Sequence, residues 1–386
     1  MNVLLSSYVH WWNAEAAYAA VLADLLQRGG HRAWVLTRPG TFNGAQLRAR
    51  GLEVVTDIAL WERHPLRLRA ALRRLSAFQA AERIDVVDVF RSREMAWHLL
   101  AARGNPGLRV VRTRGSAMPL RGNWLNGKLH RDWSDGLIAS AEVVRRQMVS
   151  VLALPPERVR TIYFPIDLPA LPPPAERAAQ RAALLAELAL PADALLLAIV
   201  GRAYPEKGHE RLLEALARLA PRFPNAALLV LDKRIDDRAD YVEALRTREA
   251  GLGLEERVRW LGFRDDVRHL MALVDVGVIP SLASEVNCRV AVEFFSVGTP
   301  VAAFPTGALP EVVEDGVSGR IARAHTPEAL ADALEPLLGD ASLRERLGNG
   351  ARRQAGTRFS RERFLAETLA TFEAALARPK AFGRRE

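Results

Sequence analysis

The stretch "VGVIPSLASEVNCRVAVEFFSVGTPVAAF", residues 276–304, sets two short apolar runs on either side of a loop and a helix-forming segment. "VGVIPS" reads as a strand and "LASEVN" as a loop, with a helix starting near Asn287 to Arg289 and running to about Val297. Gly-Thr-Pro stops that helix, and a second apolar strand follows directly. Strand, helix and strand at this spacing are the unit of a parallel sheet covered by helices.

The same alternation extends in both directions. "ALLLAIVGR", "AALLVLDK", "VRWLGF", "TPVAAF" and "GRIA" read as further strands of this sheet, separated by helical stretches. Upstream, "NVLLSSYV", "RAWVLT", "LEVVTD", "IDVVDVF", "LRVVRTRG" and "GLIASA" form an independent series, with "NAEAAYAAVLADLLQRGGH" as its clearest helical segment. Between the two series, the prolines of "FPIDLPALPPPAERAAQ" forbid both ladder pairing and helix continuation. The expected organisation is an α/β chain of two doubly wound, Rossmann-like domains. The first spans 1–164, a Pro-rich linker 165–183, the second domain 184–356, and a C-terminal helix 357–379 packs back toward the first. Ligands of such sheets bind beyond the carboxyl ends of the strands, so two such domains are expected to face an interdomain cleft.

A chain of 386 residues, 49% hydrophobic and 26% charged, has the composition of a globular protein with material for two cores. The single cysteine, Cys288, excludes an intramolecular disulfide, and no Cys/His cluster has metal-ligand spacing, so no metal site is expected. No basic leader precedes the first apolar run and no stretch reaches the length of a membrane span, which favours a cytoplasmic protein. Lys+Arg 54 against Asp+Glu 45 gives a net charge of +9, a bias toward anionic partners such as nucleotides, phospholipid surfaces or nucleic acid.

Within the opening stretch, Glu285 precedes the helix and Glu293 lies in its second turn. The unpaired N–H groups of about Asn287, Cys288, Arg289 and Val290 sit between them at the positive end of the helix dipole. That arrangement is an anion site with a carboxylate on either side. A nucleotide sugar presents groups in the matching order: sugar hydroxyls, diphosphate, ribose hydroxyls. Carboxylates accept paired hydroxyls and backbone N–H groups suit phosphates. Taken alone, the two glutamates also read as a helix-end charge and an exposed helical residue. A second anchor lies in "VGRAYPEKGHERLLEALARL", where Gly201 and Arg202 end a strand and Lys207 precedes the next helix. Two cations on a strand-to-helix turn suit a diphosphate leaving group, whose developing charge must be neutralised.

These residues resemble the retaining glycosyltransferases of family 4, which share the GT-B architecture. The resemblance rests on "GRAYPEKG", "LGFRDDVRHLMALVDVGVIPS", the Glu285/Glu293 segment and "EFFSVGTPVAAFPTGALPEVVEDGVSG", and is strongest over roughly residues 194–319. It implies a nucleoside-diphosphate sugar held mainly by the second domain, with no cofactor and no metal. Arg202 and Lys207 would bind the diphosphate, Glu293 the ribose and Glu285 the donor sugar, which makes Arg202, Lys207 and Glu285 the catalytic set. Backbone groups of Val286, Asn287, Cys288, Arg289 and Val290 would complete the contacts beside Gly201, and the loop Gly262, Phe263 and Arg264 would lie beside the base. Transfer would retain anomeric configuration.

The first domain departs from the family pattern. Asn13 and Ala14 of "HWWNAE" stand where family members carry loop glycines, and Arg114 or Gly115 stands where many carry a histidine. Trp11 and Trp12 suit either stacking on an acceptor sugar or core packing. Asn13, Ala14 and Arg114 are the acceptor-side candidates; Arg112 and Arg114 suit an acceptor phosphate or carboxylate and equally a structural salt bridge. "ERHPLRLRAALRRLSAF" places Arg67, Arg69, Arg73 and Arg74 on an amphipathic helix, which reads either as a solvated face or as a peripheral contact with an anionic membrane. Cys288 at a helix start is expected to have a lowered thiol pKa. Glu311 charges a helix start, and Gly307 permits close backbone approach to a ligand.

The expected function is transfer of a sugar to a glycan or glycolipid acceptor, such as a lipopolysaccharide core or another cell-envelope glycan. Two alternatives remain open at this stage: a sugar-nucleotide-binding protein without transfer activity, and a GT-B sugar-nucleotide epimerase. Nucleic-acid binding lacks any recognised reading motif and is not expected.

Overall fold

The computed structural model describes residues 1–116, 118–232, 239–283 and 285–382. Lys233 and Ser284, each inside a run quoted above, lie outside them. The chain divides into two compact units, one formed by 1–164 with 361–386 and the other by 165–360.

The first unit carries a seven-stranded parallel sheet. Its strands are β1 (Asn2–Ser6), β2 (Arg32–Leu36), β3 (Glu53–Val55), β4 (Val86–Val89), β5 (Arg109–Arg114), β6 (Gly136–Ala139) and β7 (Val159–Thr161). Their order across the sheet is β3-β2-β1-β4-β5-β6-β7. Alternate residues of β1 feed two cores: Val3 and Leu5 face Tyr18, Leu22 and Leu26, whereas Leu4 faces Trp34, Leu75 and Leu99. Helices therefore cover both faces, and the near-continuous apolar runs of the strands follow from that double burial. The last helix, Arg361–Leu376, belongs to this unit and buries Phe364 and Phe372 in the same core as Val3.

The second unit carries β8 (Leu195–Val200), β9 (Ala226–Leu231), β10 (Val258–Trp260), β11 (Val276–Ile279), β12 (Val301–Ala303) and β13 (Gly319–Ile321), in the order β10-β9-β8-β11-β12-β13. The helix of the opening stretch is Arg289–Ser296. It is seated by Phe294 and Phe295, both fully buried, each contributing about 1.5–3 kcal/mol of apolar burial. A side chain at Gly277 of β11 would put its Cβ 2.5 Å from the Phe294 ring, so the glycine is what lets this helix lie so close to the sheet.

One expectation needs correction, and one strand was missed. The proline-rich segment is not a linker throughout: a helix runs over Pro174–Glu187, with Pro173 at its N-cap and Pro174 in its first turn. Proline is tolerated there because the first-turn N–H has no helical partner to lose. Arg181 of that helix donates to the Ala194 carbonyl at 2.8 Å and to Asp275 at 2.6 Å, which ties the helix to the second unit. The short strand β7 was also absent from the sequence reading. Its three residues are too few to show a period.

Candidate functional site

In each sheet the strand order reverses direction once, between β1 and β4 in the first unit and between β8 and β11 in the second. Beyond the carboxyl ends of such a pair the two connections lead away to opposite sides and leave a crevice. In the second unit the residues that follow β8 and β11 are Gly201–Lys207 and Pro280–Glu285.

These two loops are bound to each other by backbone and side chain. Leu282 N donates to the Glu206 carbonyl at 2.7 Å, and Gly208, at φ 73°, lies against Pro280 so closely that a Cβ would meet its carbonyl oxygen at 1.9 Å. The Lys207 ammonium pairs with Glu285 Oε1, and Ser281 Oγ donates to the same oxygen at 2.8 Å. Both donors use Oε1. Oε2 of Glu285 has no partner among the described residues, and the side chain is only 12% accessible.

The Glu285 backbone is fixed from below. Ala308 N donates to its carbonyl at 2.7 Å, and a Cβ on Gly307, at φ 57°, would sit 1.9 Å from that oxygen. The close approach expected of Gly307 is thus to the Glu285 backbone. Thr306 Oγ1 donates to the Ser281 carbonyl and lies 2.8 Å from His325 Nε2. Ser281, Thr306 and His325 were missed in the sequence, and the only signal for this support was Gly307 itself.

The first bond inside the helix Arg289–Ser296 runs from Val292 N to Cys288 O at 3.1 Å, and the Cys288 side chain makes no capping bond. The amides of Arg289, Val290 and Ala291 therefore precede the intrahelical ladder. Gly201, Lys207, His209, Ser281, Glu285 and Val290 line a pocket of about 20 Å³, the space of one water. His209, 3% exposed, has neither ring nitrogen hydrogen-bonded, and burial with Lys207 nearby lowers its pKa to about 4, so the imidazole is neutral.

The remaining second-unit candidates are dispersed. Arg202 is exposed, with its guanidinium 4.8 Å from the Tyr204 ring centroid. Glu293 pairs with Arg289 at 2.9 Å. Val286 is buried, and the Asn287 side-chain oxygen is buried with no hydrogen bond. Gly262 has φ 64° and Phe263 is 63% exposed, which leaves an aromatic face in solvent on that loop. Arg264 is tied to Asp266 through two bonds of 2.8 Å and to Glu187 at 3.0 Å. The Cys288 expectation is overturned: its thiol pKa lies well above the ordinary value, because burial dominates and the carboxylates of Glu285 and Glu311 add to it. Among the described residues no group of three His, Cys, Asp or Glu side chains is placed to hold a metal ion.

In the first unit Asn13 is the N-cap of the helix Ala14–Arg28, its side chain accepting from Ala16 N at 3.0 Å, and Ala14 is the first residue of that helix. The missing loop glycines are replaced by an ordinary cap. Arg114 is 7% exposed and bonds Gln147 at 3.2 Å; Arg112 is 3% exposed and donates to the Val89 carbonyl at 3.2 Å. Trp12 packs partly against the core beneath Arg50, whereas Trp11 is 77% exposed. Arg67, Arg69, Arg73 and Arg74 are exposed on the helix Pro65–Ala81, whose Ala71 and Leu75 face the core.

Comparison with known proteins places this architecture. The family described as Glycosyl transferases group 1 matches residues 180–354, and Glycosyltransferase Family 4 matches residues 16–169. Between them the two descriptions take in most of both units, and the chain belongs to the family 4, group 1 glycosyltransferases of GT-B fold. A D-inositol 3-phosphate glycosyltransferase of Saccharomonospora viridis is 34% identical over 250 residues, 63% of this chain and 56% of that protein. The alignment thus spans little more than half the relative's length. Among solved structures, a glycosyltransferase of Rickettsia africae superposes with a TM-score of 0.84 at 16% identity, covering 97% of this chain and 98% of that one. HepE of Anabaena, in complex with UDP, superposes with a TM-score of 0.83 at 20% identity, covering 97% and 100%. At these identities the likeness is one of fold.

Proposed function

We propose that the chain transfers a sugar from a nucleoside-diphosphate sugar to a glycan or glycolipid acceptor, with retention of anomeric configuration. The observation that carries this reading is the Lys207–Glu285–Ser281 network at the crevice between β8 and β11, beside the free amides that open the helix Arg289–Ser296. A diphosphate settles on those amides, since N–H groups at a helix start and the dipole behind them both favour negative charge. Lys207, already poised on Glu285, and the exposed Arg202 supply the countercharge as the diphosphate departs, so the mechanism proposed includes no metal. Glu285 retains one carboxylate oxygen for a donor-sugar hydroxyl, and Glu293 takes the ribose after exchanging its contact with Arg289.

In the proposed step the bond from the anomeric carbon to the diphosphate oxygen breaks, and a bond from that carbon to an acceptor oxygen forms on the same face. The acceptor proton passes to the departing phosphate oxygen. A UDP sugar is the first donor to try, because HepE, similar in fold, was solved with UDP and with UDP-glucose. An envelope acceptor is in keeping with a second structural neighbour, a lipopolysaccharide outer core galactosyltransferase, TM-score 0.72 at 13% identity. The exposed arginines of the helix Pro65–Ala81 suit a cytoplasmic enzyme working against an anionic membrane surface. No helix among the described residues is long and apolar enough to cross a membrane.

The test is release of nucleoside diphosphate from a panel of nucleotide sugars, run beside thermal shift with each ligand. A donor should raise the melting temperature, since it binds only the folded form, and turnover should fall in Lys207→Ala and Arg202→Ala. A panel that neither shifts the midpoint nor yields any nucleoside diphosphate would sink the proposal.

A further inference from the structure

The first unit has a recess of about 340 Å³ at the amino ends of β5, β6 and β7, with Asp132, Ser134, Asp135, Arg158, Arg378 and Ala381 in its lining. The crevice at the reversal point lies beyond the carboxyl ends of the same sheet. The two are separated by at least the length of a strand, roughly 13 Å for the four residues of β6.

One wall of the recess is the segment that follows the helix Arg361–Leu376, and it is tied to the sheet at successive residues. Arg378 O accepts from Arg109 Nη2 at 3.0 Å, Lys380 Nζ donates to Asn105 O at 2.6 Å, and Ala381 N donates to Asp135 Oδ1 at 2.8 Å. The Phe382 ring then meets Trp133 edge-on, with centroids 5.3 Å apart. Another wall is the turn before β7, where Arg158 donates to the carbonyls of Arg131 at 2.7 Å and Ser134 at 2.9 Å.

The carboxylates of the lining are already engaged. Asp135 accepts from Val110 N at 2.8 Å with its second oxygen, and Asp132 pairs with Arg131 at 3.0 Å and Lys128 at 3.4 Å. The two arginines are not engaged in this way. Among the described residues neither Arg158 nor Arg378 is in an ion pair, the Arg378 guanidinium makes no hydrogen bond, and Arg158 Nε–H has no acceptor. Burial and then the charge of Arg378 lower the Arg158 pKa, while the exposed Glu157 beside it is too well solvated to offset much of that repulsion. Two like charges facing one recess are relieved by an anion between them. Small-molecule sites begin at about 300 Å³, so the recess has room for more than a bare inorganic ion.

We infer that this recess binds a small molecule carrying an oxyanion, phosphoryl or carboxylate, and that the anion bridges Arg158 and Arg378. Guanidiniums suit that role because their planar array of donors matches both oxyanions. A bridging anion fastens the segment 378–382 to the turn before β7, so occupancy stiffens the end of the chain. The site lies wholly in the first unit and does not depend on the glycosyltransferase reading.

Titration calorimetry on the full chain tests the inference with glycerol 3-phosphate, citrate and glycerol. One of the two anions should bind at least ~10-fold more tightly than glycerol, a preference of roughly 1.4 kcal/mol, and the tighter one distinguishes phosphoryl from carboxylate. Arg378→Ala removes a guanidinium that makes no hydrogen bond, so it should cut that affinity at least ~10-fold at an unchanged melting temperature. Lys207→Ala should leave the affinity as it is, which separates this recess from the crevice of the second unit. With the anion bound, amide hydrogen exchange across 378–382 should slow in the wild-type chain and not in Arg378→Ala. Equal binding of glycerol and the anions, no binding of any probe, affinity indifferent to Arg378→Ala, or exchange indifferent to the bound anion would overturn the inference. Loss of anion binding in Lys207→Ala would place the anion in the second unit and overturn it as well.

Discussion

The two reversal points of this molecule solve the same geometric problem with different materials. In the second unit backbone meets backbone: Gly208 lies on Pro280, Gly307 on Glu285, and one lysine, one serine and one glutamate complete the network. In the first unit the corresponding strand ends are crowded with large side chains and buried ionisable groups. Burial raises Asp88 to about 7, lowers His98 to about 3 and His130 to about 4, and lowers Arg112 to about 10. Under the proposed function, a site made of peptide groups suits what nucleotide sugars have in common, the diphosphate. A site made of side chains can be respecified by a few substitutions, which suits the acceptor-side role proposed for the first unit.

The largest effect expected separates those roles. Glu285→Ala should lower nucleoside-diphosphate release by about 10²–10³-fold, the scale for removing one preorganised electrostatic contact from a transition state, while leaving oxyanion binding in the first unit's recess intact. A Glu285→Ala enzyme of wild-type kcat would remove the second-unit crevice from the chemistry.

Next comes the backbone approach itself. Gly307→Ala forces a left-handed backbone on a residue with a side chain and drives its Cβ into the Glu285 carbonyl. A loss of about 4 kcal/mol combines that strain with the overpacking. Urea unfolding measures it, and a midpoint within error of wild type would show that the loop has room to retreat.

The contrast also explains what could be read from the chain. Among the described residues, twelve of the thirteen strands lie in apolar runs quoted from the sequence, because strands covered on both faces carry a continuous hydrophobic signal. The missed one, β7, has only Val159 buried among its three residues. The second-unit candidates could be nominated because glycines, cations and carboxylates at strand ends leave marks in sequence. Ser281, Thr306 and His325 left none, since a hydroxyl that supports a loop looks like any other. In the first unit the expectation looked for glycines and a histidine and found Asn13 and Arg114, a helix cap and a buried guanidinium. Asp135, Arg158 and Arg378 meet in one recess only through tertiary packing, which no local pattern discloses.

Acid sensitivity offers a finer comparison. His209 has a folded-state pKa of about 4, below the ordinary 6.5 of an unfolded chain. Between those values the unfolded state binds more protons, so stability increases as pH rises from 4 to 6.5 and is lost as pH falls through that window. The magnitude is on the order of 3 kcal/mol. His98 and His130 act in the same direction from the first unit, and Asp88, raised to about 7, opposes them. His209→Leu should therefore flatten part of the dependence of melting temperature on pH over this range. An undiminished slope would mean that the imidazole protonates in place, on a water in the small pocket beside Glu285.

The smallest effect concerns the loop expected beside the base. Arg264 is engaged by Asp266 and Glu187, with 27% of its side chain accessible and both partners more exposed still. Ion pairs in that setting contribute at most about 1 kcal/mol, so Arg264→Ala should shift the urea midpoint only slightly. Its effect on the donor is the informative part. If the guanidinium serves only to staple the loop to the helix Pro174–Glu187, affinity for UDP should change by less than about 3-fold, a difference under 1 kcal/mol. A loss well beyond that, with the midpoint unmoved, would mean that Arg264 leaves its two carboxylates to meet the nucleotide.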